Sequence, residues 1–342
     1  MDDNFIVVTG GSGYIAKHIV LRLLKDGYNV RATVRSSERR AELQSAMVRN
    51  TLNDRELPRR LSIPDLDLNR DDHWNDVVSG AAALIHTASP FPMAQPKDEN
   101  ELVRPAVDGT LRALRAAKIT GVNRVVLTSS ILAVLYPKTN HKSKLDEEDW
   151  SDVEDPRVSP YAKSKILAEK AAWDFIRSQA PEIKLTVINP GLVLGPPLDS
   201  SIGTSLRVIQ RILRAKDPMV PKIGFPIVDV RDLARIHVTC LQRKSTSGKR
   251  YIAGDEFLWY HQIAEILKSE FPRYGIKTRP APSFLIRLKS LFDQRLRSIT
   301  PVLDRRVDVC ADRARSEFEL NFRPAMESII SSAHFLVDNK LV

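Results

Sequence analysis

Val7-Val8-Thr9-Gly10-Gly11-Ser12-Gly13-Tyr14-Ile15-Ala16 is the stretch whose reading decides the fold. It follows a β-branched, apolar run from Phe5 and opens a segment, Ile15 to Leu24, whose apolar residues recur at helical spacing; it therefore reads as strand, tight turn, helix. Glycine serves such a turn twice over. It reaches backbone angles closed to other residues, and it lets a pyrophosphate approach the N–H groups at the helix start. Gly10 and Gly13 fill those roles, and Ala16 takes the third small position, where helix and strand pack closely.

The pattern continues outward from this turn. Asn29 to Arg35 alternates and is rich in β-formers, as the second strand of a βαβ unit should be. A dinucleotide site that prefers NAD usually places an acid at that strand end, to accept from the ribose 2′-OH. Here stands Arg35, with Arg39 and Arg40 close behind. A guanidinium forks onto a 2′-phosphate that an acid would repel, so these residues favour NADP(H).

Leu61 to Leu66 reads as a third strand ending in Asp67-Leu68, and His73 to Val78 as a short helix. Ala81 to His86 reads as a buried fourth strand, and Thr87-Ala88-Ser89-Pro90 leaves its carboxyl end, the edge at which open α/β sheets bind ligands. Asn100 to Lys118 is helical, and Arg124 to Thr128 is a fifth strand emptying into Ser129-Ser130. Tyr136 to Ser159 reads as a loop or lid. Ser159 and Pro160 mark the start of a helix to about Gln179, and Lys184 to Ile188 is a sixth strand closed by Asn189-Pro190-Gly191. This alternation is that of an α/β, doubly wound parallel sheet.

Past Gly195 the pattern loosens. Thr204 to Ala215 and Asp232 to Leu241 are helical, Lys222 to Val230 is extended, and Lys249 to Ala253 is a strand. From Trp259 to Val342 the chain is mostly helical and broken by prolines. The expected organisation is a nucleotide-binding domain over 1–195, with 226–255 returning to it, and a smaller C-terminal substrate lobe from 196–225 and 256–342.

Composition narrows the function. With 342 residues the chain can bury a large core. Its formal charge of +10 is spread among acids rather than gathered into a basic, aromatic stripe, so nucleic acid is not expected as a partner. The two cysteines, Cys240 and Cys310, match no metal-ligand spacing, and no metal is expected. No run reaches the roughly 18 apolar residues of a membrane span. The first strand begins almost at Met1 without a secretory pattern, and the expected location is the cytoplasm.

The chemistry lies at Tyr161 and Lys165, four apart on one face of a helix. A free phenol, with a pKa near 10, is a poor acid-base catalyst at neutral pH. An ammonium held beside it is expected to lower that value; about two units would correspond to roughly 2.7 kcal/mol. A hydroxyl at the end of the fifth strand, Ser130 or its neighbour Ser129, can bond a substrate oxygen and stabilise developing charge. Glycine turn, strand-end hydroxyl, then Tyr-x-x-x-Lys on the next helix is the order one fold requires.

Taken together, these residues resemble the extended short-chain dehydrogenase/reductases, within them most closely the dihydroflavonol reductase and cinnamoyl-CoA reductase group. The resemblance covers most of the chain. It rests on Val8 to Ala16, Val30 to Arg35, Asp67-Leu68, Ile85 to Pro90, Thr128 to Ser130, Tyr161 to Lys165 with Leu167 to Trp173, Asn189 to Pro196, Val228 to Ala234 and Arg250 to Ile252. It implies a Rossmann domain in which Thr9, Gly10, Gly13, Tyr14 and Ile15 hold the pyrophosphate and Arg35 and Arg39 the 2′-phosphate. Asp67 and Leu68 would meet the adenine; Thr87, Ala88, Ser89, Pro190 and Val193 would line the nicotinamide side; Ser130, Tyr161 and Lys165 would be the catalytic set, the last two also touching the cofactor. His86 reads as a packed strand-end residue.

The implied activity is NADPH-dependent reduction of an aldehyde or ketone. The plant flavonoid enzymes carry an asparagine where Ile131 to Tyr136 is apolar here, and Val158-Ser159-Pro160-Tyr161 departs from the lignin-pathway signature. A hydrophobic or aromatic carbonyl is the expected substrate. The alternatives are an NAD-dependent nucleotide-sugar epimerase or dehydratase and a hydroxysteroid dehydrogenase-like enzyme. No membrane partner is expected, and the chain should act as a monomer or homodimer.

Overall fold

The computed structural model describes residues 5–51, 56–89, 98–139, 142–293, 296 and 299–342. Pro90, part of the expected nicotinamide-side loop, lies outside them. The chain runs β1 (Phe5–Thr9), α1 (Tyr14–Lys25), β2 (Asn29–Ala32), α2 (Ser37–Asn50), α3 (Leu57–Arg60), β3 (Leu61–Ser62), α4 (Trp74–Val78) and β4 (Ala81–His86). Then come α5 (Asn100–Thr120), β5 (Arg124–Thr128), α6 (Pro160–Gln179), β6 (Lys184–Pro190), β7 (Leu192–Leu194), α7 (Leu206–Leu213), β8 (Gly224–Asp229) and α8 (Val230–Gln242). β9 (Lys249–Ala253), β10 (Glu256–Trp259), α9 (Tyr260–Glu270), α10 (Ser283–Lys289), α11 (Asp312–Phe318) and α12 (Ala325–Asp338) complete it.

By contact the chain forms two units. The first comprises residues 1–133, 160–189 and 233–251. Its sheet has the order β3-β2-β1-β4-β5-β6-β9, and the pairings of β1 with β2 and β4, β2 with β3, β4 with β5, and β5 with β6 are parallel. The chain thus winds outward one way from β1 through β3 and the other way from β4. Thr9 pairs with His86 across that reversal, so the loops after β1 and β4 part there and leave a crevice at the carboxyl edge.

These strands form because they are apolar on both faces, as parallel strands covered by helices must be. Val7, Leu84, Val125, Leu127, Leu185 and Val187 pack with Ala113 and Leu114 of α5 and Ala172 and Phe175 of α6 in one buried cluster. α5 packs along α6 with small residues in the seam, and it ends at Gly121, whose φ of 76° closes the helix. β2 is shorter than expected. Thr33 and Val34 leave the strand pairing, Val34 bridging only Asp65, so Arg35 stands clear of the sheet.

The second unit comprises 134–159, 190–232 and 252–342. Residues 134–159 and 190–195, expected with the nucleotide domain, have their contacts here. A three-stranded sheet, β10-β8-β7, joins β8 to β10 antiparallel and to β7 parallel. β10 falls between the expected strand ending at Ala253 and the helical region expected from Trp259, and its pairing with Gly224–Ile227 makes it a strand. α12 packs on α7 and α9. Asp229, buried, ties Arg231 at 2.8 Å to Ser328 at 2.7 Å. The described residues of 134–159 hold no helix or strand; Leu145 bridges Val309.

Candidate active site

The turn after β1 is shaped by what it must approach. Gly10 has a φ of +66°, and a Cβ there would lie 3.0 Å from Ala88 Cα and Cβ. Gly10 N donates to Thr33 Oγ1 at 3.2 Å and Gly11 N to Thr33 O at 2.7 Å, pinning the turn to the end of β2. Gly13 is the N-cap of α1 and offers no side-chain acceptor; no acid stands in the first turn. A twelve-residue helix that opens on glycine with its positive end uncompensated suits an anion. Of the residues expected here, Gly13 is exposed and Ile15 half-buried, while the Tyr14 ring packs against His18.

Thr9 lies beneath the turn. Its side chain is fully buried; Oγ1 contacts His86 Nδ1 at 2.8 Å and accepts from Ala88 N at 3.3 Å. Thr87 Oγ1 donates to Thr9 O at 2.5 Å. The Thr9 side chain therefore ties the β1 and β4 loops together, and leaves its backbone as the part that borders the turn. Burial and the Lys165 ammonium push His86 down to about 3, so its ring is neutral.

At the end of β2, Arg35 is exposed and has no ion pair among the described residues. Ser36 caps α2, accepting from Arg39 N at 3.4 Å. Arg39 is bound to Glu42 at 2.7 Å, and Arg40 to Asp65 at 2.9 Å. Arg35 is thus the cation most open to a phosphate, and Arg39 must leave an acid to reach one. Asp67 Oδ1 accepts from Asn69 N at 2.9 Å, and Leu68 packs beside Gly109 of α5.

Ser129 and Ser130 differ sharply. Ser129 is buried and donates to Glu169 Oε2 at 2.5 Å; Ser130 is half-buried, and its Oγ accepts from Leu132 N at 3.2 Å, beginning the one-turn 3₁₀ helix Ile131–Ala133. Only Ser130 keeps its hydroxyl proton for another acceptor. Sequence reasoning left the choice open because Glu169 is 40 positions away.

Tyr161 and Lys165 share one face of α6, with Lys165 Nζ over the phenol ring at 5.8 Å from its centroid. Both are half-buried by accessible surface yet closely surrounded by protein. Burial pushes Tyr161 up to about 12 and Lys165 down to about 8. The expected lowering of the phenol is therefore corrected: the same desolvation penalises phenolate and ammonium, favouring the neutral form of each. Lys165 lines a cavity of about 10 Å³ with Ala88, Ser89, Thr128, Ser129 and Glu169, which brings it to the loop after β4. Pro190 and Val193 are buried in β6 and β7 and have their contacts in the second unit.

Among the described residues, no group of three His, Cys, Asp or Glu could hold a metal, and no helix is long and apolar enough to cross a membrane.

Comparison with known proteins fits this geometry. The model of the NAD dependent epimerase/dehydratase family matches residues 6–254. The chain is 37% identical over 287 residues to cinnamoyl-CoA reductase 2 of Arabidopsis thaliana, covering 82% of this chain and 81% of that protein. It is 33% identical over 288 residues to the NADPH-dependent methylglyoxal reductase GRE2 of Saccharomyces cerevisiae, covering 78% and 82%. The crystal structure of yeast methylglyoxal/isovaleraldehyde reductase Gre2 complexed with NADPH is similar with a TM-score of 0.80 and 26% identity, covering 98% of this chain and 99% of that one.

Proposed function

We propose, from the premise that this chain belongs to the NAD dependent epimerase/dehydratase family, that it is an NADPH-dependent reductase of aldehydes or ketones. The observation that carries the reading is Lys165 beside the Tyr161 ring and against Ala88 and Ser89, at the crevice where β1 and β4 part. Relatives described as NADPH-dependent methylglyoxal reductase and cinnamoyl-CoA reductase support a carbonyl substrate. A hydrophobic or aromatic one is the finer assignment.

The residues present fit the cofactor: a Cβ at Gly10 would fill the approach to the turn, and α1 opens without an acid. Gly10 to Ile15 would hold the pyrophosphate, Arg35 and then Arg39 the 2′-phosphate, and Asp67 and Leu68 the adenine. Thr87, Ala88, Ser89, Pro190 and Val193 would border the nicotinamide. When bound, NADPH supplies the hydride that forms the new C–H bond. Ser130 donates to the carbonyl oxygen, holding the charge that develops there. Tyr161, protonated at neutral pH, gives its proton to that oxygen. Lys165 holds the ribose hydroxyls and offsets the phenolate left behind.

The second unit is assigned the substrate, and a reducing compartment such as the cytoplasm suits the chain's free cysteines, Cys240 and Cys310. A monomer or homodimer is the working unit. The test is a panel of aromatic and aliphatic aldehydes and ketones assayed with NADPH and NADH in parallel. Turnover with NADPH that Tyr161→Phe abolishes is expected; full turnover by that variant on every substrate overturns the mechanism. Purified protein that retains NAD⁺ would favour the epimerase alternative instead.

A further inference from the structure

Tyr161, Lys165 and Glu169 follow one another at four-residue intervals on α6, so all three lie along one face. The third has no part in the chemistry above. Its side chain is fully buried, and its two oxygens collect donors from three other elements of the first unit. Oε2 accepts from Ser129 Oγ at 2.5 Å, just beyond β5, and from Asn189 Nδ2 of β6 at 2.7 Å. Oε1 accepts from Arg250 Nε of β9 at 2.6 Å and, more weakly, from Trp173 Nε1 at 3.4 Å.

The amide of Asn189 carries the connection one residue further. The same Nδ2 donates to Ser130 O at 3.1 Å, and that carbonyl also accepts from Ala133 N at 3.0 Å. Asn189 Oδ1 is buried with no hydrogen-bond partner among the described residues. Rotating the amide would satisfy the oxygen no better and would turn it toward two acceptors. An amide kept here with one end unsatisfied is held for its donor end.

The catalytic groups of the proposed reduction come from two elements, Ser130 from the turn after β5 and Tyr161 with Lys165 from α6. Their separation must hold to a fraction of an ångström for proton and hydride to move together. We propose that Glu169 is the positioning residue that fixes this separation, gripping the Ser129 hydroxyl directly and the Ser130 carbonyl through Asn189. With its side chain fully buried it acts through these partners, and the assignment rests on the Ser130-Tyr161-Lys165 reading. Arg250 Nε, donating to Oε1, orients the carboxylate so that Oε2 faces Ser129 and Asn189.

The substitution Glu169→Gln tests this with little change of shape. A carboxamide has one acceptor oxygen, so its NH₂ must face either Arg250 Nε or the Ser129 and Asn189 donors, and one side of the grip is lost. Ser129→Ala removes a single donor and is the milder variant should Glu169→Gln fold poorly. Turnover is normalised to sites titrated by NADPH fluorescence, so that unfolded protein does not register as lost catalysis. Expected are normalised kcat values down at least 10-fold for Glu169→Gln and 3-fold for Ser129→Ala, with the NADPH Kd within 3-fold of the parent. Adding Ser130→Ala to Glu169→Gln should then lose far less than Ser130→Ala alone. Normalised kcat within 2-fold of the parent in both variants, or losses that simply multiply in the double variant, overturns the proposal. Ser130→Ala and Tyr161→Phe are run alongside. If these two lose turnover while Glu169→Gln and Ser129→Ala keep it, only the positioning role fails; if all four keep it, the functional reading fails too.

Discussion

Lys165 holds its Nζ over the face of the Tyr161 ring, 5.8 Å from the centroid, and burial drives the two groups apart on the pH scale. With Tyr161 at about 12 and Lys165 at about 8, phenol and ammonium coexist at neutral pH. Reduction should therefore fall as pH rises through about 8, where Lys165 loses its proton. Lys165→Met should lower kcat by about 10²-fold or more. It should also stabilise the fold. The folded pKa of Lys165 lies below its ordinary 10.5, so its contribution to stability is full above 10.5 and is lost as pH falls through about 8. The full shift corresponds to about 3 kcal/mol, and partial exposure reduces it to about 1–2. Thermal unfolding of both proteins at pH 7 and pH 10 checks this: the variant's advantage should be present at pH 7 and nearly gone at pH 10.

Arg35 and Arg39 should contribute unequally to the choice of nucleotide. Arg35 is exposed without an ion pair among the described residues, whereas Arg39 is neutralised by Glu42, which also binds the buried Lys17. A charged hydrogen bond to phosphate is worth about 1.5–3 kcal/mol, so Arg35→Ala should raise the KM for NADPH about 10- to 100-fold. The KM for NADH should stay put. Arg39→Ala must first be credited with breaking its own pair, and its effect should be about 5-fold or less. Parallel kinetics with the two nucleotides decide it; equal losses with NADH would show that neither guanidinium reads the 2′-phosphate.

Two buried histidines should make the fold acid-sensitive. His237 donates through Nδ1 to Leu233 O and accepts at Nε2 from Thr128, and burial pushes it down to about 4; His86 goes to about 3. Both folded values lie below the ordinary 6.5, so the stability they contribute is fully present above 6.5 and is lost as pH falls toward 4 and 3. Each adds about 1.4 kcal/mol per pH unit to the slope between pH 6 and 4. Urea unfolding across that range should show the decline, and His237→Gln should remove one proton's worth of it. An unchanged slope would mean that His237 is charged in the fold.

Much of the first unit was legible because its signals are local. A β-branched run, a glycine turn and a 3.6-residue period can be read within twenty residues, and Phe5 to Leu24 folds as that reading requires. β10 was not legible: Glu256 to Trp259 is a strand through antiparallel pairing with β8, some thirty residues away. Nor could the sequence show where residues 134–159 belong, since a segment without helix or strand is placed by distant partners, as Leu145 is by Val309. At the site, four-residue spacing put Tyr161 and Lys165 on one face but said nothing of desolvation, and the sign of the Tyr161 shift followed desolvation. Glu169 stands one turn past Lys165 in the sequence, yet its meaning depends on Ser129 just beyond β5, Asn189 of β6 and Arg250 of β9, which only the sheet order brings together.

Gly10→Ala should separate the turn's contribution from that of the 2′-phosphate. At a φ of +66° an L-residue is strained by about 1–2 kcal/mol, and the new Cβ would sit 3.0 Å from Ala88 Cα. Ala88 cannot simply withdraw, because its N–H is held by Thr9 Oγ1 and Thr87 anchors the same loop to Thr9 O. Both loops must shift, and with them the backbone that faces the pyrophosphate. Affinity for NADPH and for NADH should fall by the same factor, about 10-fold or more, since the pyrophosphate is common to both. Stability should fall by about 2–3 kcal/mol. Gly27→Ala is the control: its φ is +87° but no atom of the described residues lies within 4 Å of the added Cβ, so it should lose about 1–2 kcal/mol and leave both affinities unchanged. Fluorescence titration with each nucleotide, beside thermal unfolding, measures all four quantities; a Gly10→Ala protein that binds both nucleotides as the parent does would mean that this turn does not meet the cofactor.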